Sequence, residues 1–462
     1  MAFRASFCYY APTMKKTFKS CDRKQMFLLP PSLLDWLPQG HLANFILDVV
    51  EQLDLSALYS SYQGDGRGQP PYEPRMMTAL LFYAYCTGVP SSRQIEKRTY
   101  EDVAFRVIAA NMHPDHDSIC EFRKRHLKAL AGLFVQILRL CQEAGLVKLG
   151  HVALDGTKIK ANASKHKAMS YGRMKKKKEE LEKEIEGLLK NAEAVDKKED
   201  KEYGKGKKGW DLPDELKRRE TRLAKIEEAM NALEEEARQE ALEKQKAAET
   251  KAKKKQAPAS QPPPAEPPDS AQRNFTDPDS RIMKVTSTNS FEQCYNGQAM
   301  VDDSFQVIVA ADLSQNANDS DEVEPILDIL EENLGGIPLK MAVTTDAGYF
   351  SEANLMLFED ALLDPFMATQ KMKHGEVLPN VRGRPPNELT PRERMIRKLC
   401  TKRGQKIYSK RKSTVEPVFG QIKQAMGLRQ FSLRGFENVS AEWQMWCMSH
   451  NLLKLYRHGG PL

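Results

Sequence analysis

A chain of 462 residues is long enough for two to four domains, and 40% hydrophobic residues suit a globular protein with at least one large core. A formal charge of +7 favours a polyanionic partner only weakly, because a long mixed-charge segment dilutes any local excess. Eight scattered cysteines without a Cys-x-x-Cys pair argue against a zinc site and a secreted disulfide framework. No apolar run reaches membrane-spanning length and no signal-peptide core is present, so a reducing, cytoplasmic setting without membrane contact is expected.

Residues 1–24 are poorly patterned and read as an arm. From residue 25 to 147 the pattern is helical. Leu42, Phe45, Ile46, Val49 and Val50 share one face, and Met76 to Tyr85 is apolar and entered through Pro74. Ser91 with Gln94 three residues later reads as a cap, and a further helix is expected near Asp117. Short helices with basic residues near their starts suit a helix-turn-helix-like DNA-binding domain, or a plain helical packing domain.

His151–Leu154 reads as a strand ending at Asp155. Residues 165–250 read as an inserted antiparallel coiled-coil hairpin. Met174, Leu181, Ile185 and Leu188 form one heptad seam, and Leu216, Leu223, Ile226, Met230 and Leu233 form the other. Residues 251–272, with KAKKK and then QPPPAEPP, read as a Pro-rich linker.

Residues 297–302 and 305–312 read as a β-hairpin, and 322–334 as an amphipathic helix. Residues 340–345 read as a buried strand ending at Asp346, followed by a short strand at 365–369. A basic region then leads to a helix carrying Glu416, and 443–456 is a final amphipathic helix. Between Lys371 and Arg429, sixteen Lys or Arg stand against four Glu, which reads as a phosphate-backbone footprint or as a solvated surface.

Without the insertion, the order is three strands, helix, strand, helix, strand, helix. That is a ribonuclease-H-like mixed α/β sheet, here residues 148–164 and 273–457, behind a helical N-terminal region. Asp155 and Asp346 lie 191 positions apart, of which residues 165–272 take 108; the remaining 83 suit three strands and a helix. Ligands gather at the carboxyl ends of strands in open α/β sheets. Three converging carboxylates can hold two Mg²⁺ ions (or Mn²⁺) about 4 Å apart, an arrangement suited to phosphoryl transfer. Rival acids are Asp302, Asp303, Asp312, Asp319 and Asp321. No P-loop or His-Glu-x-x-His motif is present, and His450 in an apolar helix reads as structural.

Several segments together resemble the DDE transposases of bacterial insertion sequences, most nearly the 1182-type group. They are Pro71–Tyr85, His116–Arg123, Ala153–Asn162, Thr276–Arg281, Tyr295–Gln298, Thr345–Phe350 and Thr414–Lys423. The resemblance implies Asp155, Asp346 and Glu416 as catalytic, metal-binding carboxylates. It also implies Tyr408, a basic residue and Lys423 as DNA contacts around Glu416. The Tyr-to-Arg spacing selects Arg411, whereas the spacing to Glu416 selects Lys412, so both remain candidates. The implied partner is double-stranded DNA, as element ends and target, bound by a homodimer or higher oligomer at the nucleoid. A nuclease of the same fold that cuts without joining, and an inactive DNA-binding protein, are the rival readings.

Overall fold

The computed structural model describes residues 32–62, 70–203, 214–255, 266–285, 289–370, 379–383, 386 and 388–460. The N-terminal arm and residues 256–265 of the Pro-rich segment therefore lie outside the described residues.

Among the described residues seven α-helices come first: α1 (Leu42–Gln52), α2 (Ser56–Ser60), α3 (Pro74–Cys86), α4 (Ser92–Glu101), α5 (Val103–Ile108), α6 (His116–Arg125) and α7 (Leu127–Glu143). α3 begins at Pro74, and the Glu73 carboxylate accepts from the Met76 amide at 2.6 Å, which satisfies an otherwise unpaired N–H. From Met76 to Cys86 every residue of α3 is buried, so it is a central helix rather than an amphipathic one. α4 starts one residue after Ser91 as expected, but the Ser91 side chain makes no capping bond.

The strands are β1 (His151–Lys160), β2 (Ala168–Ser170), β3 (Gln272–Asn274), β4 (Arg281–Val285), β5 (Ser290–Asp302), β6 (Ile308–Ser314), β7 (Ala342–Thr345) and β8 (Asp364–Met367). β5 is the spine of the main sheet. One edge pairs antiparallel with β1 from Val152 opposite Asp302 to Lys160 opposite Cys294. The other edge is shared by β4 and then β6, both antiparallel. Beyond β1, β7 and then β8 pair in parallel. The result is a mixed α/β sheet behind a helical N-terminal region. β4 was not expected, and β6 runs to Ser314, so Asp312 lies inside a strand rather than at its end.

The helices of this half are α10 (Val323–Leu334), α11 (Glu352–Asp360), α12 (Pro391–Leu399), α13 (Lys402–Gly420) and α14 (Phe436–His458). α14 begins seven residues earlier than expected and is buried on nearly all sides from Trp443 to Leu455. It lies between two layers. Toward the sheet, Trp443 Nε1 donates to the Gln298 carbonyl (3.2 Å) and the Asn451 amide brackets the backbone of Ile308. Gly297 admits the Trp443 ring, which would stand 3.0 Å from any added Cβ. Toward the N-terminal helices, Trp446 packs on Tyr85 with ring centroids 4.7 Å apart. One continuous apolar core therefore joins the helical segment to the sheet.

The hairpin consists of two long helices, α8 (Tyr171–Tyr203) and α9 (Asp214–Lys255). Tyr171 donates to Glu234, Lys178 pairs with Glu227 and Arg219 with Glu184, a progression that only antiparallel helices give. Met174 and Leu181 bury against Ile226, Ala229, Met230 and Leu233 in a cluster separate from the main core. Ile185 and Leu188 are only half-buried, so the seam is dry at the base alone. Two sequence boundaries change. KAKKK (251–255) continues the second helix, because Lys and Ala are good helix formers and the first proline comes later. Gln272, the expected end of the linker, opens β3, which pairs with β2 under the hairpin base.

Because the dry part of the seam ends near Leu181 and Ile226, replacing residues 186–221 by a short Gly/Ser turn is expected to leave a single cooperative thermal transition with a melting temperature within a few degrees of the parent. Calorimetry checks this; a broadened or split transition would show that the outer hairpin supports the core.

Candidate active site

β1 does not end at Asp155. It pairs in parallel with β7 only from His151 to Ala153, while its antiparallel pairing with β5 continues to Lys160. Asp155 therefore stands where the parallel seam opens. Ala153 is opposite Thr344, so continuing that register two residues brings Asp155 level with Asp346, the residue directly after β7. Neighbouring strands lie about 4.8 Å apart. Two in-register aspartates on adjacent parallel strands thus project from one end of the sheet.

Asp155 is largely buried and fully engaged. Its Oδ1 accepts from the Gly156 amide (2.9 Å) and its Oδ2 from Arg411 Nη1 (2.9 Å). Burial pushes its carboxyl pKa up to about 6; the Arg411 cation opposes this and the Asp346 charge adds to it. Asp346 Oδ1 accepts from the Gly348 amide at 2.7 Å. Tyr408 lies beside the pair. Burial raises its hydroxyl pKa, with Arg411 pulling it down and Asp346 pushing it up.

α13 carries the remaining expected residues. Arg411, Thr414, Val415 and Val418 form its buried ridge. Arg411, five residues before Glu416, is the basic residue at Asp155, whereas Lys412 is exposed. A π-helical turn (Gln421–Ala425) follows α13 and directs Lys423 to β1, where its ammonium donates to Thr157 Oγ1 and to the Lys158 carbonyl (2.9 Å). Burial lowers the Lys423 pKa. Glu416 is exposed, and among the described residues no three His, Cys, Asp or Glu side chains come close enough to hold a metal ion. The structure thus brings Asp155, Asp346, Arg411 and Tyr408 together, sets Lys423 two residues along β1, and leaves Glu416 apart on the flank of α13.

The rival acids divide clearly. Asp302 accepts from the Lys148 and Leu149 amides and shapes a turn. Asp303 lies between His151 (3.3 Å) and Lys410 (2.7 Å). Asp321 is exposed. Asp319 alone enters the site: a Cβ on Gly156 would stand 2.6 Å from its Oδ1. Much of the basic excess is internally engaged, since Lys410 holds Asp303, Arg411 holds Asp155, and Lys398 and Arg403 hold Asp364. Residues 371–378 lie outside the described residues. His450 is structural: it is buried, bonded to the Gln306 carbonyl (2.9 Å), and desolvation depresses its pKa to about 3.

A raised carboxyl pKa has a defined consequence for stability. The folded chain holds the Asp155 proton that the unfolded chain has already lost between pH 3.8 and about 6. Stability relative to the Asp155→Asn variant is therefore expected to fall as pH rises through that window and to level off above it. Inside that window the slope approaches about 1.4 kcal/mol per pH unit. Paired denaturant titrations of the metal-free proteins read this difference; a flat difference between pH 4 and 6 contradicts the assignment.

Residues 31–125 match the family described as transposase domain (DUF772), and residues 270–452 match the family described as transposase DDE domain. Asp346 and Glu416 lie in the second segment; Asp155 lies between the two, on the far side of the helical hairpin. No curated protein and no solved structure matches the chain. Both matches name transposase domains, and the second covers five of the six strands of the main sheet; together they indicate an insertion-sequence DDE transposase.

Proposed function

We propose that this chain binds the terminal inverted repeats of a mobile element, cuts a strand to free a 3′-OH, and joins that end to target DNA. Both reactions would take place at one divalent-metal centre built on Asp155 and Asp346, with Glu416 as the third carboxylate. In this reading the main sheet is a ribonuclease-H-like catalytic domain. Residues 25–147 supply DNA binding, and the hairpin is a peripheral coiled-coil insertion. Two element ends must be held together, so the working form is a dimer or larger. No helix among the described residues is long and apolar enough to cross a membrane. A DNA substrate places the protein at the bacterial nucleoid.

The observation that carries this is the in-register pair Asp155–Asp346, where a buried carboxyl keeps a raised pKa even beside Arg411. The donors fit a hard cation, since both are carboxylates, and the buried Asn296 Oδ1 nearby has no protein partner. Mg²⁺ (or Mn²⁺) held there would activate the attacking oxygen and stabilise the leaving one.

The chain's own residues do the rest. Arg411 orients the Asp155 carboxylate and favours its charged form. The Lys423 ammonium, anchored on Thr157 two residues from Asp155, is positioned to meet a phosphate oxygen beside the scissile bond. The exposed Lys402, Lys406 and Lys412 of α13 offer non-specific contacts to the backbone. Glu416 stands on α13 between Arg411 and Lys423, and completes the carboxylate set when metal and DNA are bound.

A supercoiled plasmid carrying the element ends tests this in Mg²⁺. The parent protein is expected to give joined products; cuts without joining would assign a nuclease instead. Asp155→Asn, Asp346→Asn and Glu416→Gln are each expected to bind the ends yet lose both cutting and joining. Double variants should be scarcely worse than single ones, because groups acting as one unit are not additive. Full cleavage by any one variant at matched Mg²⁺ removes that residue from the centre.

A further inference from the structure

Between β6 and α10 runs a loop whose shape is fixed by side chains. Glu322 accepts from Ser314 Oγ (2.5 Å) and Asn316 Nδ2 (3.0 Å). Lys158 Nζ donates to the Ala317 carbonyl (2.7 Å). Asn354 Nδ2 ties the Ser320 carbonyl (2.6 Å) to that of Tyr349 (2.7 Å), which joins this loop to the one bearing Asp346. The loop delivers Asp319 to the aspartate pair. Asp319 Oδ1 accepts from Asn296 Nδ2 (2.7 Å) and Gln298 Nε2 (2.9 Å), and Gln298 in turn accepts from the buried Tyr349 hydroxyl. The nearest cation, Lys158 Nζ, is 3.7 Å away.

Two glycines make room for this carboxylate. A Cβ on Gly156, next to Asp155, would stand 2.6 Å from Asp319 Oδ1 and 2.7 Å from Gln298 Nε2. A Cβ on Gly348 would stand 3.0 Å from Asp346 Oδ1 and 3.4 Å from Asp319 Oδ2, so both oxygens border the same small space. The second sign of a ligand is Asn296. It is fully buried, its Oδ1 has no partner, and that oxygen lies 3.1 Å from where a Gly156 Cβ would be. A buried, unpaired acceptor is destabilising unless something donates to it.

We infer that Asp319 is an outer carboxylate of the divalent-metal centre: it adds negative charge beside Asp155 and Asp346 and, with Asn296 Oδ1, accepts hydrogen bonds from the cation's water ligands. This rests on the metal-centre reading above. Mg²⁺ keeps several waters when protein-bound, and those waters need acceptors. Asp319 is thus a positioning residue, acting on the cation through its hydration.

Calorimetric titration of the full chain with Mn²⁺, without DNA, tests it. Asp319→Asn is expected to bind Mn²⁺ at least about tenfold more weakly, the scale of outer-shell losses, with little change in metal-free melting temperature. Its cleavage should need more Mg²⁺ and recover as Mg²⁺ is raised. Gly156→Ala keeps every charge but drives Asp319 away, and should shift Mn²⁺ affinity in the same direction. Parent-like Mn²⁺ affinity in either variant overturns the inference. Asp155→Asn separates the layers. If it loses Mn²⁺ while Asp319→Asn does not, the centre stands and Asp319 falls; if it keeps Mn²⁺, the centre itself falls and the inference with it.

Discussion

Two carboxylates held level on adjacent parallel strands repel each other, and the architecture around them answers that repulsion. At strand spacing and an effective dielectric near 20, two full charges oppose each other by about 3.5 kcal/mol. Burial is the larger cost, and with the Asp346 charge it leaves Asp155 with a carboxyl pKa of about 6 even against the Arg411 cation. Three features keep the pair in place. The β1–β7 register fixes the backbone, the Gly156 and Gly348 amides donate to the two carboxylates, and Arg411 brings one cation from α13. Arg411 and Lys158, the latter 3.7 Å from Asp319, do not neutralise three carboxylates, so the site retains negative charge suited to a divalent ion.

The seating of α13 follows from the same requirement. Arg411 pairs with Asp155, and the preceding residue, Lys410, pairs with Asp303, which also contacts His151 at the start of β1. The helix is thus pinned to β1 at both ends of the strand's first half. α14 performs the corresponding task toward the helical segment. Its tryptophans reach the sheet through Gly297 and the N-terminal helices through Tyr85. One packed layer thus joins the helical segment to the sheet that bears the aspartates.

Much of this was legible in the sequence where a local pattern decides the outcome. Apolar runs located β1 and β7, the residues after them gave Asp155 and Asp346, and heptad spacing gave the hairpin. Where pairing partners decide, the sequence was silent. β1 runs past Asp155 because β5 is long enough to pair with it as far as Lys160. α14 extends back to Phe436, where the amides of Gly435 and Phe436 donate to Asp277 and Asp279, carboxylates 157 or 158 positions earlier in the chain. The choice between Arg411 and Lys412 needed the helix phase, since one faces the sheet and the other solvent. Asp319 was one of five rival acids; only the glycines beside Asp155 and Asp346 distinguish it, and glycine spacing reads as a turn until the facing loop is known.

The in-register pair Asp155–Asp346 is the proposed seat of the divalent ion. Crystals of the full chain soaked in Mn²⁺ and measured at the manganese absorption edge decide this. An anomalous peak is expected between the two carboxylates, with Arg411 shifted on Asp155 to admit it. An ordered Arg411–Asp155 contact with the manganese peak elsewhere on the protein would contradict it.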